Sequence, residues 1–305
     1  MNDLTMPGRI ARLRATAYAK LTLTLEIRDR RPDGYHDLEG LVVSVSAPAD
    51  VVEVEAVPHP AGISLAVEGE IEHVPIGSDN LAMRAGEALM LRAGRSAAGV
   101  RMTLRKKIPA GAGLGGGSAD AAGAMHAVRR MLELSIDDPT MLEVGAAIGS
   151  DVPFCLTGGA AWMRGRGEIL EPVSLPTGLP FLIAIPPFRL ATPVVYAAWD
   201  DLGGPRSRRR VPAGGPVGAL QPELFNDLEA AAEAVEPRLV EFRAELERIV
   251  GVPAVLAGSG SAYFVPVPEK VVERLDTVAA KVRRSMKIPV ASSRTVARGV
   301  RLSVA

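Results

Sequence analysis

Hydrophobic and polar positions alternate without interruption from Arg14 to Ile27. Ala15, Ala17, Ala19, Leu21, Leu23, Leu25 and Ile27 fall on one side, and Thr16, Tyr18, Lys20, Thr22, Thr24 and Glu26 on the other. A period of two residues predicts a strand with one buried face. "RRPDGYH" predicts a turn, and "LEGLVVSVSA" and "DVVEVEAV" predict two further strands. "DNLAMRAGEALMLRA" shifts to helical spacing, with Asp79 or Asn80 placed to cap it. "VRMTLRK" predicts a strand that runs into a dense glycine segment. After that segment Ala121, Ala124, Met125, Val128 and Leu132 recur at helical spacing. "DPTMLEVGAAIG" predicts another helix, and the last ninety residues alternate helix with strand around a second glycine turn, "LAGSGSAYF". Proline-rich "EPVSLPTGLP" reads as a joint between two halves. "LGGPRSRRRVPAGGP" (202–216) reads as a mobile surface loop, with Arg206 and Arg208 to Arg210 as a solvated charge run.

Composition narrows the class. The 305 residues suit two domains, and 48% hydrophobic against 23% charged residues supports a sizeable core. A formal net charge of +0 argues against a nucleic-acid or membrane-surface binder held by bulk electrostatics. An acidic ligand must then be caught by a local site. Cys155 is the only cysteine, which excludes an intrachain disulfide or thiolate metal cluster and suits a reducing cytoplasm. "MNDLTMPGRIARLRATAY" lacks the apolar core of a signal peptide, and no apolar run is long enough to span a bilayer. The expectation is a soluble cytoplasmic protein of mixed helices and strands.

The glycine segment carries the chemistry. Gly111 to Gly117 holds five glycines in seven residues, at a strand-to-helix junction. No lysine follows as a Walker A loop requires. Gly111, Gly113 and Gly116 fit the dinucleotide spacing G-x-G-x-x-G, but about a hundred strand-rich residues precede them, which does not suit a Rossmann unit. What remains is a wide phosphate cradle. Backbone N–H groups from Ala112 to Ser118 turn toward one anion, and the following helix N-terminus adds partial positive charge. Lys106 and Lys107, just upstream, are placed to neutralise a polyphosphate or simply to be solvated.

"IPAGAGLGGGSADAA" resembles the ATP motif of the GHMP small-molecule kinases. "AYAKLTLTLEIRDRRPDGYHDLEG" and "IGSDVPFCLTGGAAWMRGRGE" narrow the resemblance to the branch serving non-mevalonate isoprenoid biosynthesis. It runs, with gaps, from about Ala15 to residue 264. It implies an α+β GHMP kinase fold: an N-terminal ATP-binding domain like the second domain of ribosomal protein S5 (1–172) and a ferredoxin-like C-terminal domain (173–305), with the active site between them. The implied reaction transfers the γ-phosphoryl group of ATP to the 2-hydroxyl of a cytidyl-linked methylerythritol.

Residue by residue, the resemblance places Lys20 and Asp151 as the catalytic pair. Pro109, Ala110, Gly111, Ala112, Gly113, Leu114, Gly115, Gly116, Gly117, Ser118 and Ala119 match the ATP loop, with Mg²⁺ at Ser118. Tyr35 and His36 match the cytosine site, Tyr196 its second stacking ring, and Thr22 the methylerythritol side. On pattern alone Lys20 is an exposed strand lysine and Asp151 a cap after Gly149. Phosphoryl transfer asks for positioning and charge neutralisation, and an attacking hydroxyl benefits from a carboxylate. The family usually has asparagine where this chain has Thr22 and proline where it has Tyr18. These departures keep a kinase for another alcohol in view. A nucleotide-binding regulator without turnover is the alternative from another class. The expected partner is a small molecule, with no nucleic acid or membrane, on a monomer or homodimer.

Overall fold

The computed structural model describes residues 12–58, 60–207, 211–212, 223–267 and 274–305. Residues 1–11 and Arg208 to Arg210 lie outside the described residues. In chain order the first elements are β1 (Leu13–Arg30), β2 (His36–Val57), β3 (Gly62–Gly69), α1 (Leu81–Arg92), β4 (Gly99–Lys106) and α2 (Gly116–Met131). Next come α3 (Asp138–Ile148), α4 (Val152–Thr157), β5 (Ala160–Gly165), β6 (Ile169–Pro172), β7 (Pro180–Ala184) and α5 (Thr192–Asp201). Then follow β8 (Val211–Pro212), β9 (Glu223–Asn226), α6 (Glu229–Val235), α7 (Arg238–Val250) and β10 (Val255–Leu256). The last are β11 (Tyr263–Pro266), α8 (Leu275–Met286), β12 (Val290–Arg294) and β13 (Val300–Val304).

The fold is α+β and, among the described residues, holds two sheets. A nine-stranded sheet runs β3-β4-β2-β1-β9-β8, with β13 also on β1, β5 on β2 and β6 on β5. A four-stranded sheet runs β10-β11-β7-β12. The larger sheet therefore contains strands from both sides of residue 172: β13 returns to pair Val300 with Ala17. β1 buries its apolar face as the alternation predicts, with Ala15, Ala17, Ala19, Leu21, Leu23 and Ile27 at 0% exposure. Its other face is not left to solvent. Lys20, Thr22 and Thr24 are buried as well.

The two strands expected between residues 38 and 57 are one strand, β2. Its pairing with β1 slips between Tyr18 and Ala19, so residues 46–48 leave the ladder. Pro48 has no N–H to give to a ladder, and the bulge lets the strand continue past it. Asn80 is the residue that caps α1, accepting from the Ala82 N–H at 2.9 Å. Small residues let α2 lie close on β1 and β2: a Cβ on Gly123 would lie 3.1 Å from Val52 and 3.3 Å from Ala17.

Arg206 corrects the expectation of a solvated charge run. Its guanidinium contacts Asp227 at 3.2 Å and donates to the Arg28 carbonyl at 3.2 Å. The buried Asp227 carboxylate also accepts the Ile27 and Ser207 N–H groups, which fastens this end of the segment to β1.

Candidate active site

A cleft of about 720 Å³ opens between the two halves of the chain. Pro109 to Ser118 form one wall. Ala119 does not: it is fully buried, and its N–H closes the first turn of α2 on the Gly115 carbonyl at 2.9 Å. Gly111, Gly113 and Gly115 have φ of 66°, 75° and 71°, the left-handed region where a Cβ is strained. The loop is held from both flanks. Ser261 and Leu190 donate to the Gly111 carbonyl at 3.2 and 3.3 Å, Ala262 donates to the Ala112 carbonyl at 3.2 Å, and the Lys20 N–H donates to Leu114 at 3.0 Å. α2 starts at Gly115 with no side-chain cap. Its first N–H groups and the helix dipole are thus presented to an anion in the cleft.

Lys106 does not face that anion. It is 4% exposed, and its ammonium is held by Asp50 and, at 2.6 Å, by Asp120. Burial alone would lower the lysine pKa, but the charges of Asp120 and Asp50 override this and raise it. Its charge is spent inside the protein, which corrects both expectations for it, neutralising a polyphosphate and being solvated. The other Asp50 oxygen accepts the Lys107 and Ile108 N–H groups at 2.5 and 2.9 Å. The cluster anchors the turn from β4 into the loop. Burial, with the Asp50 charge adding to it, pushes the Asp120 carboxyl well above the usual carboxylate range. Asp120 Oδ1 has no hydrogen-bond partner.

Lys20 and Asp151 meet across the cleft, 3.4 Å from ammonium to carboxylate. Lys20 is 7% exposed, not the open strand lysine that the pattern alone suggests. Gly115 and Gly258 crowd its stem and head: a Cβ on either would lie 2.8 Å from Lys20 Cγ or 3.3 Å from Nζ. The Lys20 ammonium also donates to the buried Thr22 hydroxyl at 3.1 Å. Asp151 stands at the start of α4, yet its side chain makes no cap bond there and turns to Lys20 instead.

At the other end His36 Nε2 bonds Asp200 Oδ1 at 2.8 Å. The imidazole stacks on Tyr196 with centroids 5.0 Å apart and meets Trp199 edge-on at 5.5 Å. Burial pushes the Tyr196 phenol up. With Nε2 donating to a carboxylate, a neutral imidazole keeps Nδ1 as an acceptor. Tyr35 is 57% exposed beside it, with the Arg166 guanidinium 5.0 Å from its ring centroid. Arg30 pairs with the second Asp200 oxygen at 3.5 Å.

Asp200, Arg30, Arg166 and the Gly258–Gly260 turn also line the cleft, though none of them is singled out as a site residue by the sequence. Asp200 reads as an ordinary helix residue 164 positions from its partner. "LAGSGSAYF" is legible as a turn, but its place beside Lys20 comes from Asn226, which pairs with Leu25 of β1 and donates to the Leu256 and Gly258 carbonyls. There Ser259 shares a 2.8 Å hydrogen bond with Thr192 of α5.

Among the described residues no group of three His, Cys, Asp or Glu side chains is placed to hold a metal ion. A hard ion that keeps several waters and binds through phosphate oxygens and a hydroxyl fits the donors present, of which Ser118, in the first turn of α2, is one.

Residues 80–159 match the family described as GHMP kinases N terminal domain. The chain is 37% identical over 276 residues to the 4-diphosphocytidyl-2-C-methyl-D-erythritol kinase of Pelotomaculum thermopropionicum, covering 89% of this chain and 94% of the relative. A crystal structure of 4-(cytidine 5'-diphospho)-2C-methyl-D-erythritol kinase matches with TM-score 0.74 and 33% identity, over 92% of this chain and 98% of that one. Homoserine kinase from Cytophaga hutchinsonii matches with TM-score 0.67 at 15% identity, over 99% of this chain and 100% of that one, a likeness of fold. No helix among the described residues is long and apolar enough to cross a membrane.

Proposed function

The chain belongs to the 4-diphosphocytidyl-2-C-methyl-D-erythritol kinase family, and from that membership we propose that its Lys20 and Asp151 carry ATP-dependent phosphorylation of the 2-hydroxyl of this cytidyl alcohol. It is a small-molecule kinase of isoprenoid biosynthesis with ATP as donor. The observation that carries the residue assignment is the 3.4 Å pair of Lys20 and Asp151 at the mouth of the glycine loop.

The triphosphate lies on the loop amides and the start of α2. The acceptor hydroxyl stands at Asp151, which orients it and takes its proton as the new oxygen–phosphorus bond forms. The bond between the γ-phosphorus and the β,γ-bridging oxygen breaks, and ADP leaves with that electron pair. Lys20 neutralises charge on the transferring oxygens, and Thr22 aims it by accepting a hydrogen bond from its ammonium. Ser118 would hold Mg²⁺ through its hydroxyl, and the ion would supply further charge neutralisation. His36 Nδ1 accepts from the cytosine amino group, while Tyr35 and Tyr196 offer ring faces to the base. Thr22 floors the alcohol side of the cleft. Residues 1–172 act as the ATP-binding domain and 173–305 as the second domain, in a cytoplasmic monomer or homodimer that uses neither nucleic acid nor membrane.

Thr22 and Tyr18, where the family usually has asparagine and proline, favour one second reading: a kinase of this fold for a different alcohol. Purified protein assayed with MgATP against the cytidyl substrate, mevalonate, phosphomevalonate and homoserine separates the two. ADP should appear with the cytidyl substrate and stop when Mg²⁺ is chelated. ADP production with another alcohol alone contradicts the first reading.

A further inference from the structure

Three cations line the cleft: Lys20, Arg30 and Arg166. Lys20 is committed to Asp151 and Thr22, and Arg30 stands 3.5 Å from Asp200. Arg166 is different. Its ion pair within 4 Å among the described residues is with Glu168, reached from Nε at 3.6 Å, which is longer than a hydrogen bond, while Asp33 feels its charge from farther off. The terminal nitrogens of its guanidinium therefore keep their donors.

Its place in the fold is as telling as its freedom. Arg166 follows β5 in a turn between Gly165 and Gly167, with φ of 69° and 108°. Glu168 Oε2 clasps the Arg166 N–H at 2.6 Å, which fixes the turn. On one side the guanidinium covers Tyr35, 5.0 Å from the ring centroid. On the other, the backbone runs straight to the reacting end: a Cβ on Gly167 would lie 3.7 Å from Asp151 Oδ1. A planar fork of donors thus stands between the base end of the cleft and the carboxylate.

We propose that Arg166 is the clamp for the diphosphate of a cytidine-diphosphate ester, binding it through the terminal nitrogens while the base and the alcohol occupy the two ends. The assignment rests on the cytidyl reading given above. It follows from chemistry that reading demands: a diphosphate linking base to alcohol must cross this stretch, and a guanidinium recognises phosphate oxygens bidentately. Stacking on an exposed tyrosine alone is a weak use for a charge held on a fixed turn. Arg166 is a substrate-binding residue, with no part in holding ATP.

The test is a two-by-two comparison of protein and ligand by calorimetry, using CDP and cytidine as probes. Wild type binds CDP more tightly than cytidine. In Arg166→Gln that preference falls by roughly ten- to hundred-fold, the size of a charge-assisted contact, while cytidine affinity, KM for ATP and the melting temperature stay unchanged. Arg166→Lys keeps part of the preference. A CDP-to-cytidine ratio in Arg166→Gln equal to that of wild type overturns the clamp and leaves the cytidyl reading standing. Failure of wild type to bind either probe overturns both.

Discussion

Gly113 and Ala257 touch so closely across the cleft that a Cβ on Gly113 would lie 1.8 Å from the Ala257 carbonyl oxygen. The same carbon would meet the Gly260 nitrogen at 3.0 Å, and the backbone there has φ of 75°. No side chain fits, so the first glycine loop and the second glycine turn are locked backbone to backbone.

Gly113→Ala is therefore expected to lose more than the left-handed penalty of about 1–2 kcal/mol, because the backbones must also part. Thermal melting and KM for ATP check it. Gly34→Ala is the control, since Gly34 has φ of 86° and open space around it, and it should show the conformational penalty alone.

Asp50 and Asp120 share Lys106 but not the same role. Asp50 binds the ammonium and two loop amides, whereas Asp120 leaves one oxygen unpartnered. Asp50→Ala should cost about 3–5 kcal/mol, as removal of a buried ion partner does, and Asp120→Asn less than half of that. Urea unfolding gives both values.

The raised Asp120 pKa has a sign in pH. A carboxyl whose folded pKa lies above its unfolded value near 3.8 stabilises most below that value. The contribution is lost as pH rises toward the folded value. The stability of wild type minus that of Asp120→Asn should fall as pH increases from 3.8 upward; a rising difference contradicts the assignment.

Asp200→Asn should raise KM for the cytidyl substrate while leaving KM for ATP unchanged. An amide there can donate to His36 Nε2, so the imidazole is no longer held with Nδ1 as acceptor. Steady-state kinetics with each substrate varied separate the two constants.

Cys155 is 1% exposed, and burial, with the Asp151 charge adding to it, pushes its thiol up. The native enzyme should resist iodoacetamide at neutral pH and the unfolded chain should react. Mass spectrometry of both states checks this.

Much of this site is legible in the chain because its parts are local. The alternation from Arg14 to Ile27 is β1, and the glycine run is a strand-to-helix loop because left-handed φ and close backbone approach need glycine together. Lys20 and Asp151 are different: each looks ordinary in its own segment, and only the motifs of the resemblance pair them. Lys106 was hidden for the opposite reason. A lysine at a strand end reads as solvated, and nothing local reveals that Asp50 and Asp120 close around it. Asp200 reaches His36 only because α5 packs over the turn after β1.

Whether Asp151 acts on the acceptor rather than on the nucleotide is decided by comparing two proteins. Phosphoryl transfer from ATP to the cytidyl substrate is measured in wild type and Asp151→Asn, beside calorimetric ATP affinity. Asp151→Asn should lower kcat by roughly 10²–10⁴-fold with ATP binding unchanged. A kcat near wild type, or a loss confined to ATP affinity, contradicts it.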